Sequence, residues 1–324
     1  MLDERTIRAA AARRTSLCDA ADGDLSTEIY RLFHGHMDGD DDINIDRYGS
    51  VAILEHKRLL NASEVELLAS LLPALGLKSL LLKSHRSLDL SLPQRFKVLG
   101  HPIPDSFTAS EYGTRYELRP FHQHNAGLFL DTRPLRQYLA SNAQDAKVLN
   151  LFAYTGSLGL SCLKGGAAQV IHADKSREAC EWTANNYRHN DSLLDDRDYA
   201  VGDLYKNLPK MVRKASGIVK KQYDLIILDP PPKVYTSNRS GPKPLQQDFG
   251  RLVEYCAQLL RPRARLICLF HRFGKTQEAF NKEVIEAAMR QQIELCEQLR
   301  MTSGEDFVEK RDEDRLKISV FERA

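Results

Sequence analysis

No C-x-x-C pair occurs in this chain of 324 residues, and its six cysteines (Cys18, Cys162, Cys180, Cys256, Cys268, Cys296) lie far apart. That pattern excludes a zinc ribbon or a disulfide scaffold and fits a reducing, cytoplasmic setting. Long apolar runs are missing too. The longest, such as Leu67–Leu77, fall well short of the ~20 residues that span a bilayer. The opening Met-Leu-Asp-Glu-Arg has no apolar core of a secretory signal, so export is not expected. Repeats and low-complexity tracts are absent. With 42% hydrophobic and 28% charged residues, the composition is that of a globular chain, neither disordered nor fibrous. The length predicts two domains.

Charge is nearly balanced overall, at +2, but not along the chain. Between Tyr205 and Lys275 there are 15 Lys or Arg against 4 Asp or Glu, a surplus of +11, so the remainder carries −9. Such asymmetry predicts a basic face built by one segment, the footprint of polyanion binding.

The two parts of the chain follow different patterns. Up to about residue 120, a helix is predicted from Arg5 to Arg14 and another over Ala62–Leu72, stopped by Pro73. Short strands are predicted at Val51–Glu55, Leu80–Lys83, Arg95–Leu99 and Thr114–Arg119. This reads as a small α+β module. Five aspartates crowd Asp38–Asp46. They lack the alternating ligands, central glycine and final glutamate of a calcium loop and read as a solvated turn.

From about Asp145, strands and helices alternate. Strands are expected at Lys147–Phe152, Gln169–Ala173, Tyr199–Val201, Tyr223–Leu228 and Arg265–Phe270, with two late ones near Glu294–Met301 and Leu316–Phe321. Helices are expected at Ser157–Lys164, Ser176–His189, Phe249–Leu260 and Gln277–Gln291. The alternation predicts an α/β fold with a doubly wound, mostly parallel, Rossmann-like sheet, whose ligands bind beyond the carboxyl ends of the strands.

Those ends carry the chemistry. The first strand runs into Asn150-Leu-Phe-Ala-Tyr-Thr-Gly156, where a glycine lets backbone approach a ligand and the next helix offers free N–H groups. The second ends at Asp174, about twenty residues on, where a carboxylate binds ribose hydroxyls. Gly202-Asp203 follows the third strand and Asp229-Pro230-Pro231-Pro232 the fourth. One acidic residue per strand end makes a nucleoside site. The fingerprint G-x-G-x-x-G is absent, which argues against NAD, and no pyrophosphate cradle is visible. S-adenosylmethionine, with adenosine and no phosphates, fits.

These segments, with Ala126-Gly-Leu-Phe-Leu-Asp-Thr-Arg133 upstream, resemble the class I methyltransferases of the 23S ribosomal RNA large-subunit methyltransferase I and K group. The resemblance covers roughly residues 110–320, and more weakly a module around Ile45-Asp-Arg-Tyr-Gly49; no counterpart of the RNA-binding PUA domain is seen. It implies a catalytic domain over 121–324 and an RNA-binding or substrate-positioning module over 1–120. It also implies that Phe129 packs near the cofactor and that Asp131 caps a helix beginning at Thr132. Asn150, Phe152, Ala153, Tyr154, Thr155 and Gly156 then wrap the methionine part. Asp174, with Lys175 and Ser176 beside it, takes the ribose, and Asp203 takes the adenine amine. Asp229, Pro230 and Pro231 form the catalytic strand end, with Asp229 and the Pro230 carbonyl facing the methyl group. Trp182 and Tyr187 read as core. His122 and His124 have no Cys or Asp at ligand spacing, so no metal is expected.

The sequence departs from the family pattern in two places. Members that methylate carbon 5 of cytosine place a cysteine after the fifth strand, because that carbon needs covalent activation. Here His271 stands at that place, and Cys268, three residues earlier, alternates to the other face. Direct transfer to nitrogen is therefore favoured over the cytosine-carbon alternative. Lys233 replaces the aromatic residue that follows D-P-P-x, with Tyr235 two positions on. Lys233, Tyr235, Arg239 and Arg272 are the expected substrate contacts. The partner is then RNA, ribosomal by resemblance, with no membrane and no metal, for a monomer or homodimer. A small-molecule or protein methyltransferase of the same fold is the competing reading, together with an oxidoreductase and a non-catalytic RNA-binding protein.

Overall fold

The computed structural model describes residues 2–18, 26–85, 88, 90–123, 125–215, 222–231, 233–234, 243–244, 249–271, 274–309 and 311–324. It forms two compact units, Met1–Asp131 with Gly304–Glu309, and Thr132–Ser303 with Lys310–Ala324. The division expected after residue 120 thus falls inside the first unit.

The first unit opens with α1 (Glu4–Ala12) and α2 (Thr15–Cys18), then β1 (Ile29–His34), α3 (Gly35–Asp38), β2 (Ile43–Tyr48), β3 (Val51–His56), α4 (Ala62–Leu71), β4 (Ser79–Ser84) and β5 (Phe96–Gly100). These strands make a five-stranded sheet in sequence order, antiparallel except between β3 and β4. That pair is parallel because α4 crosses between them. A capping box starts α4: Glu64 N–H donates to the Asn61 side chain at 2.9 Å, and Asn61 N–H donates back to Glu64 at 3.1 Å. Ile7 and Ala10 of α1 and Leu68 and Leu71 of α4 share one buried core with Leu32, Ile43, Ile45, Leu54, Leu80 and Leu82 of the sheet. A hairpin of β6 (Phe107–Glu111) and β7 (Thr114–Leu118) turns through Tyr112 and Gly113, both at positive φ, as a two-residue primed turn requires.

Strand β1 escapes prediction because five of its six residues are buried, leaving no alternation. Strand β2 overlaps the end of the aspartate run, and the solvated turn expected there is confined to the exposed Asp41 and Asp42; the other three aspartates are paired. Asp38 has no exposed side-chain surface and accepts from buried Arg14 at 2.7 Å; Asp40 pairs with Arg58 at 2.6 Å and Asp46 with Arg31 at 2.7 Å. A buried carboxylate persists only when paired in this way. The segment Gly304–Glu309 adds to the same unit, with fully buried Asp306 accepting from the Arg31 N–H at 2.9 Å and the Phe307 ring 4.4 Å beneath the Arg31 guanidinium.

The second unit contains α5 (Arg133–Asn142), β8 (Lys147–Leu151), α6 (Ser157–Lys164), β9 (Gln169–Asp174), α7 (Arg177–His189), β10 (Tyr199–Val201), α8 (Leu204–Ala215) and β11 (Tyr223–Leu228). A small pair follows, β12 (Lys233–Val234) with β13 (Lys243–Pro244), and then α9 (Phe249–Leu259), β14 (Leu260–Phe270), α10 (Gln277–Met289), β15 (Leu295–Met301) and β16 (Lys317–Arg323). The sheet order is β10-β9-β8-β11-β14-β16-β15, parallel through β14 and antiparallel for the last two strands. Alternation separates two cores. Leu149, Leu151, Ile226, Leu228, Leu266, Cys268 and Phe270 face α8, α9 and α10. Val148, Leu225, Ile227, Ile267 and Leu269 face α5 and α6. The predicted elements of this unit are all present. One helix was not foreseen: α8 carries Pro209 inside it, which reads as a break. The helix expected from the resemblance at Thr132 is α5. The helix begins at Arg133, so its capping position is Thr132 and not Asp131.

Candidate active site

Strand β8 stands centrally, with β9 and β10 on one side and β11 and β14 on the other, so the winding reverses between β8 and β11. An open α/β sheet binds its ligand outside the carboxyl ends at such a point. Residues 152–156, Asp174, Gly202-Asp203 and Asp229–Pro231 all lie at those ends, directly after or closing β8, β9, β10 and β11.

The loop after β8 is conformationally unusual. Phe152, Tyr154 and Gly156 have φ of 59°, 47° and 76°. Each non-glycine residue in this region costs of order 1–3 kcal/mol, and such strain persists only where neighbours over-determine it. They do so here. Asp174 accepts from the Tyr154 N–H with one oxygen and from the Ser176 N–H with the other, both at 3.0 Å. From α7, buried Thr183 donates its hydroxyl to the Tyr154 carbonyl at 3.1 Å and buried Asn186 its amide to the Thr155 carbonyl at 2.9 Å. A Cβ on Gly156 would lie 2.4 Å from Thr183 Cγ2, so only glycine closes this turn. Asp174 thus has a structural task that its position in the sequence did not suggest. Its oxygens retain lone pairs for further donors. Thr183 and Asn186 were missed. The available signal was two polar residues three apart on the stripe of α7 that also carries Trp182 and Tyr187, both buried as expected.

Other expected residues stand in different surroundings. Asn150 is buried beneath the sheet, its amide 3.2 Å from Nδ1 of His172, whose Nε2 is 2.7 Å from the Tyr187 hydroxyl. Burial keeps that imidazole neutral, lowering its pKa to about 3. The Ser176 hydroxyl accepts from the Ala179 N–H and caps α7, while Lys175 is exposed. Asp203 accepts from the Tyr205 N–H at 3.0 Å at the start of α8 and is exposed to solvent. Phe129 is an exposed aromatic residue of the first unit. His122 Nδ1 lies 3.0 Å from the Asn125 carbonyl, and no cluster of metal-ligating side chains occurs among the described residues. The side chains of Lys233, Tyr235, Arg239 and Arg272, and His124, lie outside the described residues.

At the end of β11, Asp229 Oδ1 lies 3.0 Å from Nε2 of His271, which follows the neighbouring strand β14. Pro230 is buried and Pro231 exposed. Cys268 is fully buried on the face toward α9 and α10, and burial raises its thiol pKa well above the ordinary value.

The basic segment does not form one face. Arg261, Arg263 and Arg265 belong to the start of β14, at the amino edge opposite these loops. Arg261 pairs there with Asp224 at 2.7 Å, and Arg265 donates to the Tyr138 hydroxyl at 3.1 Å. Lys275 is paired with Glu283. A charge count along the chain merges the two edges because β14 runs from one to the other.

Residues 72–306 match the family model of S-adenosylmethionine-dependent methyltransferases. The chain is 28% identical over 293 residues to a ribosomal RNA large subunit methyltransferase of Deinococcus radiodurans, covering 87% of this chain and 69% of that protein. It is 26% identical over 293 residues to the ribosomal RNA large subunit methyltransferase I of Cronobacter sakazakii, covering 87% and 71%. Among solved structures, a methyltransferase complexed with SAH superposes with a TM-score of 0.83 at 21% identity, over 98% of this chain and 80% of that one. That likeness speaks to the Rossmann-like fold. The donor set at the strand ends, a strained backbone loop and carboxylates with no phosphate cradle, suits the expected cofactor. The chain belongs to the S-adenosylmethionine-dependent methyltransferases.

Proposed function

We propose that this enzyme methylates a base nitrogen of large-subunit ribosomal RNA in the cytoplasm. The relatives named above support the RNA, and no helix among the described residues is long and apolar enough to cross a membrane. One observation carries the choice of nitrogen: His271, not a cysteine, stands beside Asp229 after β14, and Cys268 is sealed in the core. A carbon-5 transfer needs an accessible thiolate, whereas a base nitrogen attacks the cofactor's methyl group directly.

In this reading the bound cofactor supplies an electrophilic methyl group. Asp174 accepts from its ribose hydroxyls, and residues 152–156 with the first N–H groups of α6 hold its methionine part. Asp203 accepts from the adenine amine, and Asp229 with the Pro230 carbonyl faces the methyl. Lys233, Tyr235, Arg239 and Arg272 take the RNA, and the module over 1–120 binds RNA or positions it. The protein acts as a monomer or homodimer. Mass mapping of ribosomal RNA from cells lacking the protein tests the proposal: one methyl group should be missing and be restored by the purified chain. An unchanged map refutes it.

Cys268→Ala is expected to keep the transfer rate within about tenfold, or ~1.4 kcal/mol of barrier. RNA carrying 5-fluorocytosine should form no covalent adduct on denaturing gels. A trapped adduct that disappears in the alanine variant would restore the carbon-5 route. Separately, Lys233→Glu, Arg239→Glu and Arg272→Glu together should weaken RNA binding and leave cofactor affinity intact. The salt slope should flatten by up to about one unit per lost phosphate contact. RNA binding that survives the triple change would show these residues to be only a solubilising surface.

A further inference from the structure

The three strand-end carboxylates are not held in the same way. Asp174 accepts from the N–H two residues on, that of Ser176, and Asp203 likewise from Tyr205. This is the ordinary way in which an aspartate at a turn fixes its own rotamer. Asp229 has no such option, because the next residues are Pro230 and Pro231, and proline has no N–H. What holds it instead is a side chain from the adjacent strand end, His271, with Nε2 at 3.0 Å from Oδ1. The pair meets because β11 and β14 are parallel neighbours, with Leu228 opposite Cys268. An ionised carboxylate only accepts, so Nε2 carries the hydrogen and donates it. The second oxygen of Asp229 makes no hydrogen bond among the described residues.

We propose that His271 is a positioning residue that aims the second carboxylate oxygen of Asp229 at the target, and that the methylated atom is a nitrogen bearing hydrogen. This deepens the reading above and rests on Asp229 facing the reacting nitrogen. A carboxylate oxygen offers only lone pairs. It repels a bare ring nitrogen that presents a lone pair of its own, and it orients an amino or imino N–H. In the transfer, the nitrogen lone pair forms the new N–C bond while the methyl carbon–sulfur bond breaks with its electrons on sulfur, giving S-adenosylhomocysteine. The proton leaves the nitrogen for Asp229 and passes from there to solvent, to which the carboxylate is 17% open.

The test uses the full chain, radiolabelled S-adenosylmethionine and large-subunit ribosomal RNA from cells lacking the protein. His271→Ala should lower kcat by roughly 10- to 100-fold, the scale for a misaligned group, with KM for the cofactor unchanged. His271→Gln, which keeps an N–H donor, should recover most of the rate. A merely structural histidine would show neither the split nor the rescue. Retention of kcat by His271→Ala overturns the proposal, as does a product methylated at carbon or at a ring nitrogen that carried no hydrogen. If the wild-type chain transfers nothing to RNA, the RNA reading fails by itself. The role of His271 is then decided by the crystal structure of His271→Ala with S-adenosylhomocysteine. There Asp229 should have rotated from its wild-type orientation, and an unmoved carboxylate overturns the assignment.

Discussion

Asp174→Ala is expected to weaken S-adenosylmethionine binding by roughly 1–3 kcal/mol, the scale of losing charge-assisted hydrogen bonds. Two losses coincide in this variant. The acceptor proposed for the ribose hydroxyls disappears, and the Tyr154 N–H loses the oxygen that holds it at 3.0 Å. Tyr154 sits at φ 47°, so losing that bond removes one of the contacts, beside those from Thr183 and Asn186, that hold the loop away from ordinary backbone angles. Calorimetry on the purified variant measures the sum. Asp174→Asn separates the two, because an amide of the same shape keeps one acceptor oxygen and faces the other N–H with a donor. Cofactor affinity unchanged in both variants would place the ligand elsewhere on the molecule.

Gly159→Ala should be the more damaging change for stability. A Cβ at Gly159 would lie 2.3 Å from Cε1 of His172 and 2.9 Å from Cγ1 of Val170. Neither neighbour has room to move. The imidazole is fully buried and tied to Asn150 and to Tyr187, so α6 has to lift away from β9. Overpacking of a closed core costs typically ~1–3 kcal/mol, and a contact this short belongs at the upper end or beyond. The effect reaches the site, because residues 152–156 lead directly into α6. A denaturant melt of the variant should show a clear loss of stability, accompanied by weaker cofactor binding. A wild-type melt would mean that α6 and β9 are not packed as described.

The second unit was legible in the sequence because its signals are local. The central parallel strands β8, β9 and β11 are short apolar runs, the ends of β9, β10 and β11 carry Asp174, Gly202-Asp203 and Asp229, and helices alternate with the strands. The order of these segments was enough for a doubly wound sheet and for a nucleoside-type site at its carboxyl ends. Asp174, Asp203 and Asp229 were placed at strand ends that way, and the structure has them there. The N-terminal module was less legible, since β1 is buried on nearly every residue and β2 is disguised by aspartates whose partners Arg14, Arg58 and Arg31 lie elsewhere in the chain.

Tertiary structure alone decided which groups meet. The hydrogen bond between Asp229 and His271 joins residues 42 positions apart, and that between Tyr154 and Asp174 joins residues 20 apart. Both exist only because parallel strands bring their carboxyl ends to one edge. The same strand direction divides the basic segment, carrying Arg261, Arg263 and Arg265 to the opposite edge. Composition and periodicity record what each residue is and which way its neighbours alternate. Strand order and direction, which depend on packing between distant segments, determine the edge on which each residue finally stands.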